Sequence, residues 1–474
     1  MALVSPVDPV PLGELGRVHF VAIGGAGMSG IARIMLARGV PVSGCDSAAS
    51  PQLDELAELG AQVAIGHSAA HLADVDTLVI SSAIRVDNAE LVAARQRGMR
   101  VLHRAAALAS VMTSRRGIAV AGTHGKTTTT SMITTVLRRC GADPSYVIGG
   151  TLAETGVGAA EGTGIDFVAE ADESDGSFLM LAPDAAVVTC VEADHLDNYA
   201  SLAEIENAFA SFAAKITAGG LLVTDADDAG ARRLAATAQA SGRPLRLVSY
   251  GESDDADYRL MSVRPIGMAT EFELARGDEV VNLGIAVPGR HNAKNAAAAF
   301  ALSVELGFDR DEVRAGLASY RGAMRRMEPK GEVAGVRVLD SYAHHPTEIA
   351  VDLTAARDIA VGGRVIAIFQ PHLFSRTRIF ADQFGSALGL ADEVFVLDVY
   401  AAREDPEPGV TGALVADAVP GGRATFCLDA DAVPAAVADM AKPGDVVLTM
   451  GAGDVTKLGP RIVATLRSRD GEGP

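Results

Sequence analysis

The densest chemistry lies just past residue 117. An apolar run, Ile118–Ala121, leads into Gly122-Thr123-His124-Gly125-Lys126-Thr127-Thr128-Thr129. A strand that ends in a glycine loop and opens a helix with Lys-Thr is a phosphate cradle. Backbone amides line the oxygens, the Lys126 ammonium reaches the β- and γ-phosphates, and the Thr127 hydroxyl can ligate Mg²⁺. Val120 stands where the first glycine of the general GxxxxGKT pattern would be, so the reading leans on the strand-loop-helix context. Lys126 is expected in an exposed loop, where its replacement abolishes activity and leaves the fold intact.

Two acidic runs follow strand-like segments: Glu170-Ala171-Asp172-Glu173-Ser174-Asp175 and Glu192-Ala193-Asp194-His195-Leu196-Asp197. Hard Mg²⁺ takes carboxylates, phosphate oxygens and water, and open α/β sheets bind ligands at the carboxyl ends of their strands. Solvated loop acids are the alternative for either run taken singly.

A second glycine loop, Gly24-Gly25-Ala26-Gly27-Met28-Ser29-Gly30, contains a GxGxxG and follows the apolar run Val18–Ile23. Such a loop brings backbone against a pyrophosphate at a helix N-terminus, and Asp46 closes the next strand within reach of a ribose hydroxyl. A dinucleotide and a UDP-sugar both satisfy this motif, and a tight turn without a ligand would also produce it. Asn292 and Asn295 open an Ala-rich helix three residues apart, sharing a face. Asn295 suits the N6/N7 edge of adenine; Asn292 is divided between that role and an N-cap. Arg325, Arg326, Lys330, His344, His345, His372, Arg376 and Arg378 concentrate positive charge late in a chain of net charge −19. As a group they suit phosphates and carboxylates; singly, each has a surface ion pair as its alternative.

These residues need a scaffold. The chain has 474 residues, enough for two to four domains at roughly 100–200 residues each. Val18–Ile23, Leu78–Ser82, Gly117–Ala121, Ala185–Cys190, Val365–Phe369, Val394–Leu397 and Val446–Met450 read as strands buried on both faces, alternating with helical segments. The class is α/β on mainly parallel sheets, with boundaries near residues 112 and 322. A third glycine loop is Gly451–Gly453, Arg403–Gly409 reads as a surface loop, and the tail from Ser468 as frayed. The acidic balance argues against nucleic-acid binding. No apolar run is long enough to cross a bilayer, and the N-terminus lacks the pattern of a signal peptide, so a cytoplasmic location is expected. Cys45, Cys140, Cys190 and Cys427 form no CxxC pair, which argues against a disulfide framework or a zinc site.

In order along the chain, Gly24–Gly30, Ser81-Ser82-Ala83-Ile84, Gly122–Thr127, Asp172–Asp175 and Asp194–Asp197 resemble the Mur ligases. So do Gly289-Arg290-His291-Asn292 with Asn295, Tyr342–Glu348, Phe369–His372 with Ser375-Arg376-Thr377, and Gly451–Asp454. The resemblance implies three domains: 1–112, Rossmann-like, for the UDP-sugar; 113–322, with the phosphate loop, for ATP; and 323–474, Rossmann-like, closing over ATP and an amino acid. It implies ATP-dependent ligation of L-alanine to UDP-N-acetylmuramate, without nucleic acid or membrane insertion; a homodimer stays open. ATP would contact Gly122, Thr123, His124, Gly125, Lys126, Thr127, Thr128, His291, Asn292, Asn295 and Arg326. The other substrates would contact Gly24, Gly25, Gly27, Met28, Ser29, Asp46, Ser82, Ala83, Arg104, His195, Tyr342, His344, Arg376 and Arg378. Thr127 and Glu173 would hold one Mg²⁺ and His195 another. Lys126, Arg326, His344 and His345 would be catalytic.

Some positions depart from the family pattern. Ser341 stands where a second Asp is usual, Leu373-Phe374 where Arg-Tyr is usual, and Ala106 where a Glu is frequent. The position of the carbamylated lysine of several members falls near Phe209. Ser174, where a tripeptide-adding relative tends to carry Tyr, favours alanine. A nicotinamide-dependent oxidoreductase rests on the first glycine loop alone, and a non-catalytic nucleotide binder leaves Lys126 and the acids unused.

Overall fold

The computed structural model describes residues 3–194, 198–402 and 404–471. Three α/β domains, each with its own sheet, organise the chain. In the first, short apolar runs make five parallel strands: β1 (Val18–Val21), β2 (Val42–Asp46), β3 (Gln62–Ile65), β4 (Thr77–Ile80) and β5 (Arg100–His103), ordered β3-β2-β1-β4-β5. The crossovers are α1 (Ala26–Ala37), α2 (Pro51–Glu58), the turn at residues 69–72 and α3 (Ala89–Gln96), and α4 (Arg104–Met112) follows β5 and leads to the next sheet. Parallel strands require such crossovers. Chain order reverses between β1 and β4, and the crevice beyond the strand ends at that point is the usual ligand position.

The central sheet contains β6 (Arg116–Ala121), β7 (Ser145–Val147), β8 (Ala159–Ala160), β9 (Asp166–Glu170), β10 (Ala185–Val188), β11 (Leu221–Asp225), β12 (Arg246–Gly251), β13 (Tyr258–Ile266), β14 (Ala269–Arg276) and β15 (Glu279–Ile285). Its order is β15-β14-β13-β12-β11-β10-β6-β9-β7-β8. Its helices are α5 (Lys126–Arg139), α6 (Leu202–Ala213), α7 (Ala229–Ala240), α8 (Arg290–Glu305) and α9 (Arg310–Ser319). The strands β13–β15 were not among the sequence expectations. They are joined by two-residue turns, with Gly267 at φ 58° and Gly277 at φ 56°, left-handed values suited to hairpins.

The third sheet runs β16 (Glu328–Val333), β17 (Val336–Ser341), β21 (Val446–Met450), β18 (Val365–Phe369), β19 (Glu393–Leu397) and β20 (Ala424–Cys427). Among the described residues only β16 pairs antiparallel there. Its helices are α10 (Pro346–Ala360), α11 (Phe374–Leu388), α12 (Gly412–Ala418), α13 (Val433–Met440) and α14 (Leu458–Asp470). The tail expected to fray from Ser468 stays helical to Asp470. No described helix is long and apolar enough to cross a membrane.

The chain separates into two compact units. One comprises Met1–Met261, Glu273–Leu283 and Lys294–Tyr320; the other comprises Ser262–Phe272, Gly284–Ala293 and Arg321–Pro474. Within the first, Arg38, the C-cap of α1, donates two 2.9 Å bonds to Glu161, which also accepts from Arg115 and Ser145. Both side chains are mostly buried, and the fork-to-carboxylate geometry fixes the first domain against the second.

Candidate active site

The glycine loop at residues 122–125 joins β6 to α5. Gly122 (φ 133°) and Gly125 (φ 82°) adopt left-handed backbone, and space excludes side chains at both. A Cβ on Gly122 would collide with the Thr189 hydroxyl, and one on Gly125 would come within 2.8 Å of Asn295 Oδ1. The loop is stitched to the segment after β10. Thr123 N donates to Cys190 O (3.0 Å), His124 N to Cys190 Sγ (3.3 Å), and Glu192 N to Thr123 Oγ1 (2.9 Å). Thr128 is buried in the first turn of α5.

Lys126 is not the exposed loop residue expected. Its side chain is 15% exposed, and its Nζ donates to Gly122 O (2.7 Å), Thr123 O (3.1 Å) and Glu173 Oε1 (2.9 Å). Burial works against the ammonium, but Glu173 and Asp172 outweigh it and keep Lys126 charged. The Thr127 hydroxyl donates to Glu170 Oε1 (3.2 Å), whose other oxygen accepts from Gly149 N (2.7 Å). The family resemblance implies Glu173 beside Thr127 on one Mg²⁺ and gives Glu170 no role of its own. The signal available was its place as the last residue of β9.

The remaining acids of this run each have a partner. Asp172 accepts from Arg104 Nη2 (2.5 Å), at the start of α4. Burial opposes its charge, and Arg104 and Lys126 reverse the effect, holding the carboxyl well below the usual range. Asp175 accepts from the Ser82 hydroxyl and lies 3.6 Å from His103 Nε2. Ala83 sits in the turn closed by Ile84 N on Ser81 O (3.1 Å). Three of the acids therefore face Arg104, Lys126 and Ser82, bringing elements of both glycine-loop domains together.

At the first glycine loop, Gly25 caps α1 and Gly24 N donates to Asp46 Oδ2 (3.0 Å), so Asp46 braces the loop itself. A Cβ on Gly27 would lie 3.4 Å from Arg104 Nη1. The Met28 side chain is buried in the core, which leaves only its backbone for a ligand, and Ser29 N is taken by Gly25 O (2.8 Å). His195 lies outside the described residues. Asn295 Oδ1 accepts from Thr129 Oγ1 (3.2 Å) beside the phosphate loop.

In the second unit, Asn292 lies inside the first turn of α8 and donates to Pro288 O (2.6 Å), so it is not the N-cap that sequence allowed. Tyr342 and His344 follow β17. The guanidinium of Arg325 lies 4.9 Å from the Tyr342 ring and that of Arg326 5.7 Å. His344 N donates to Glu348 Oε2 (3.0 Å), Arg326 lies 3.9 Å from Glu348, and His344 Nδ1 faces Tyr342 O (3.0 Å). Burial, with Arg376 acting against the pull of Glu348, pushes His344 down to about 4. Burial and Arg326 do the same to His291. His345 is buried and caps α10, accepting from Thr347 N (3.4 Å). Arg378 pairs with Glu407 (3.0 Å) at the surface, the bland alternative for that residue. Ser341, at the departure from the family pattern, donates to Asp352, whose carboxyl burial pushes up to about 7. Gln370, another residue given no role of its own, donates to Asp454 (3.1 Å) and accepts from Val455 N (3.1 Å), shaping the third glycine loop.

Residues 17–116, 120–303 and 325–453 match, in turn, the family models for the "Mur ligase family, catalytic domain", the "Mur ligase middle domain" and the "Mur ligase, glutamate ligase domain". The chain belongs to the Mur ligase family. It is 56% identical over 476 residues to a UDP-N-acetylmuramate–L-alanine ligase of Thermobifida fusca, covering 98% of this chain and 100% of that one. It is 53% identical over 455 residues to the Streptomyces coelicolor protein of that description, covering 95% and 98%. The solved UDP-N-acetylmuramate–alanine ligase of Thermotoga maritima superposes with TM-score 0.80 at 29% identity, covering 96% of this chain and 99% of that one. A murein peptide ligase from Psychrobacter arcticus gives 0.70 at 25% identity, covering 95% and 98%.

Proposed function

We propose that this chain uses ATP to join L-alanine to UDP-N-acetylmuramate, giving UDP-N-acetylmuramoyl-L-alanine, ADP and phosphate in peptidoglycan synthesis. The observation that carries the reading is the Lys126 ammonium, anchored by Glu173 and two loop carbonyls at the N-terminus of α5. A carboxylate is a poor electrophile at neutral pH. Attack of the lactyl carboxylate on the γ-phosphate gives an acyl phosphate and ADP; attack of the alanine amine on its carbonyl then expels phosphate.

Phosphoryl transfer needs positioning and charge neutralisation above all. Lys126 and the first amides of α5 supply both for the ATP phosphates, and Arg326 would add charge. The Thr127 hydroxyl with the Glu170 and Glu173 carboxylates forms an oxygen-only donor set, which fits Mg²⁺. Bound there, the ion would neutralise phosphate charge. Residues 1–112 would take the UDP-sugar at Gly24–Gly30, 113–322 ATP, and 323–474 the amino acid. His344 and His345 are the candidates to accept the amine proton, and burial, which pushes His344 down to about 4, makes it a weak base there.

The test is phosphate release from Mg-ATP with each substrate omitted in turn. Release that requires both UDP-N-acetylmuramate and L-alanine is expected. Equal release with either one missing, or release only with a tripeptide in place of alanine, would overturn the reading.

A further inference from the structure

One face of the first sheet carries a cluster that the ligase chemistry does not use. His19 on β1 and Cys45 on β2 point to the face covered by α3, which brings Glu90; the turn at residues 69–72 brings His71. One donor atom from each of the four lies within 4.8 Å of all the others. Glu90 Oε1 lies 2.8 Å from His71 Nδ1, 3.0 Å from Cys45 Sγ and 3.8 Å from His19 Nε2. Tetrahedral zinc, with bonds of about 2.0–2.3 Å, sets its donors about 3.3–3.7 Å apart.

Two further observations point to a ligand. His19 is 2% exposed, and its Nε2, directed at the cluster, makes no hydrogen bond. Its other nitrogen, Nδ1, is held by Ser43 Oγ at 2.8 Å on the paired strand, a contact that orients the imidazole and leaves Nε2 for a metal. Charge points the same way. Glu90 is fully buried, and its side-chain neighbours among the described residues are imidazoles and a thiol, with no Lys or Arg. A divalent ion with one thiolate, one carboxylate and two neutral imidazoles is electrically neutral, which suits a buried position.

We propose that His19, Cys45, His71 and Glu90 form a closed, structural transition-metal site of the zinc type. Cysteine spacing argued against a zinc site, because the donors come from four separated segments that only the fold gathers. Binding displaces the Cys45 thiol proton to solvent and forms the metal–sulfur bond. His67 Nδ1, 3.2 Å from Cys45 Sγ and part-exposed, lies on the solvent side with His71, where the ion would enter. The site is one residue from Asp46, which braces the first glycine loop.

The experiment uses the full chain, stripped with a chelator and titrated with Co²⁺, then with Zn²⁺ as competitor. Expected are one equivalent of Co²⁺ with a thiolate-to-cobalt charge-transfer band and four-coordinate visible bands, all displaced by Zn²⁺. The oxygen-only donors around Thr127 cannot give the thiolate band. Cys45→Ser should abolish it while the folded far-UV signal persists. Ser43→Ala should weaken Co²⁺ affinity by about 10- to 100-fold. His71→Asn, which removes a donor at a part-exposed position, serves should Cys45→Ser not fold, and should weaken binding more than Ser43→Ala. Absence of the band in the parent, or a band unchanged in Cys45→Ser or His71→Asn, overturns the proposal.

Discussion

Replacing Lys126 with Met should damage stability as well as catalysis. The ammonium is paired with Glu173, which is only 2% exposed, and also satisfies two loop carbonyls. Truncating one member of a buried ion pair costs about 3–5 kcal/mol, because the other charge stays buried. The 15% exposure of the Lys126 side chain favours the low end, about 3 kcal/mol. At about 2–4 °C per kcal/mol, the melting transition of the affected unit should fall by about 6–12 °C. The comparison is urea unfolding of the parent, Lys126→Met, Glu173→Gln and the double variant, all in EDTA. The double variant should recover part of the loss, since the uncompensated carboxylate is gone, with a coupling of about 2 kcal/mol. Phosphate release should fall at least about 10²-fold in Lys126→Met, as for loss of one transition-state donor. A Lys126→Met midpoint equal to the parent, with zero coupling to Glu173, would refute the buried pair. Near-parental turnover would refute the phosphate role.

Gly27→Val should push on Arg104, 3.4 Å from the position of the added Cβ, and raise KM for UDP-N-acetylmuramate by about tenfold or more while KM for ATP stays within about twofold. Equal effects on both would mean that the two glycine loops do not serve separate ligands. Acidification should destabilise the C-terminal unit through His344: an unfolded histidine takes up its proton near 6.5, the folded one only at about 4. Between those values the unfolded chain binds more protons, so stability falls with pH by up to about 1.4 kcal/mol per unit, and His344→Gln should flatten urea midpoints measured from pH 7 to 5. An unchanged slope in that variant would show that His344 is not held neutral. Removing CO₂ should leave the rate unaltered, because Phe209 is fully buried against Phe178, with ring centroids 5.2 Å apart, and cannot carry a carbamate. Loss of activity restored by bicarbonate would count against this.

The features contained in one short segment were legible in the sequence. The strand-loop-helix frame around Lys126 is legible because strand, glycines, Lys126 and Thr127 fall within a dozen residues. The buried parallel strands are legible because burial on both faces demands unbroken apolar runs; Val365–Phe369 and Val446–Met450 appear with the expected bounds. Strands β13–β15 escaped because their alternating, partly exposed residues lack that run. Partnerships were decided by the tertiary structure. Asp172, Glu173 and Asp175 look equivalent in sequence, yet strand register and crossovers aim them at Arg104, Lys126 and Ser82, which come from other strand ends. Thr127 meets Glu170, Asn292 turns to its own backbone, and Met28 joins the core for the same reason. His19, Cys45, His71 and Glu90 show the limit most clearly. Each is an ordinary residue in its own segment, and only the pairing of β1 with β2 and the packing of α3 bring their donor atoms within one coordination sphere.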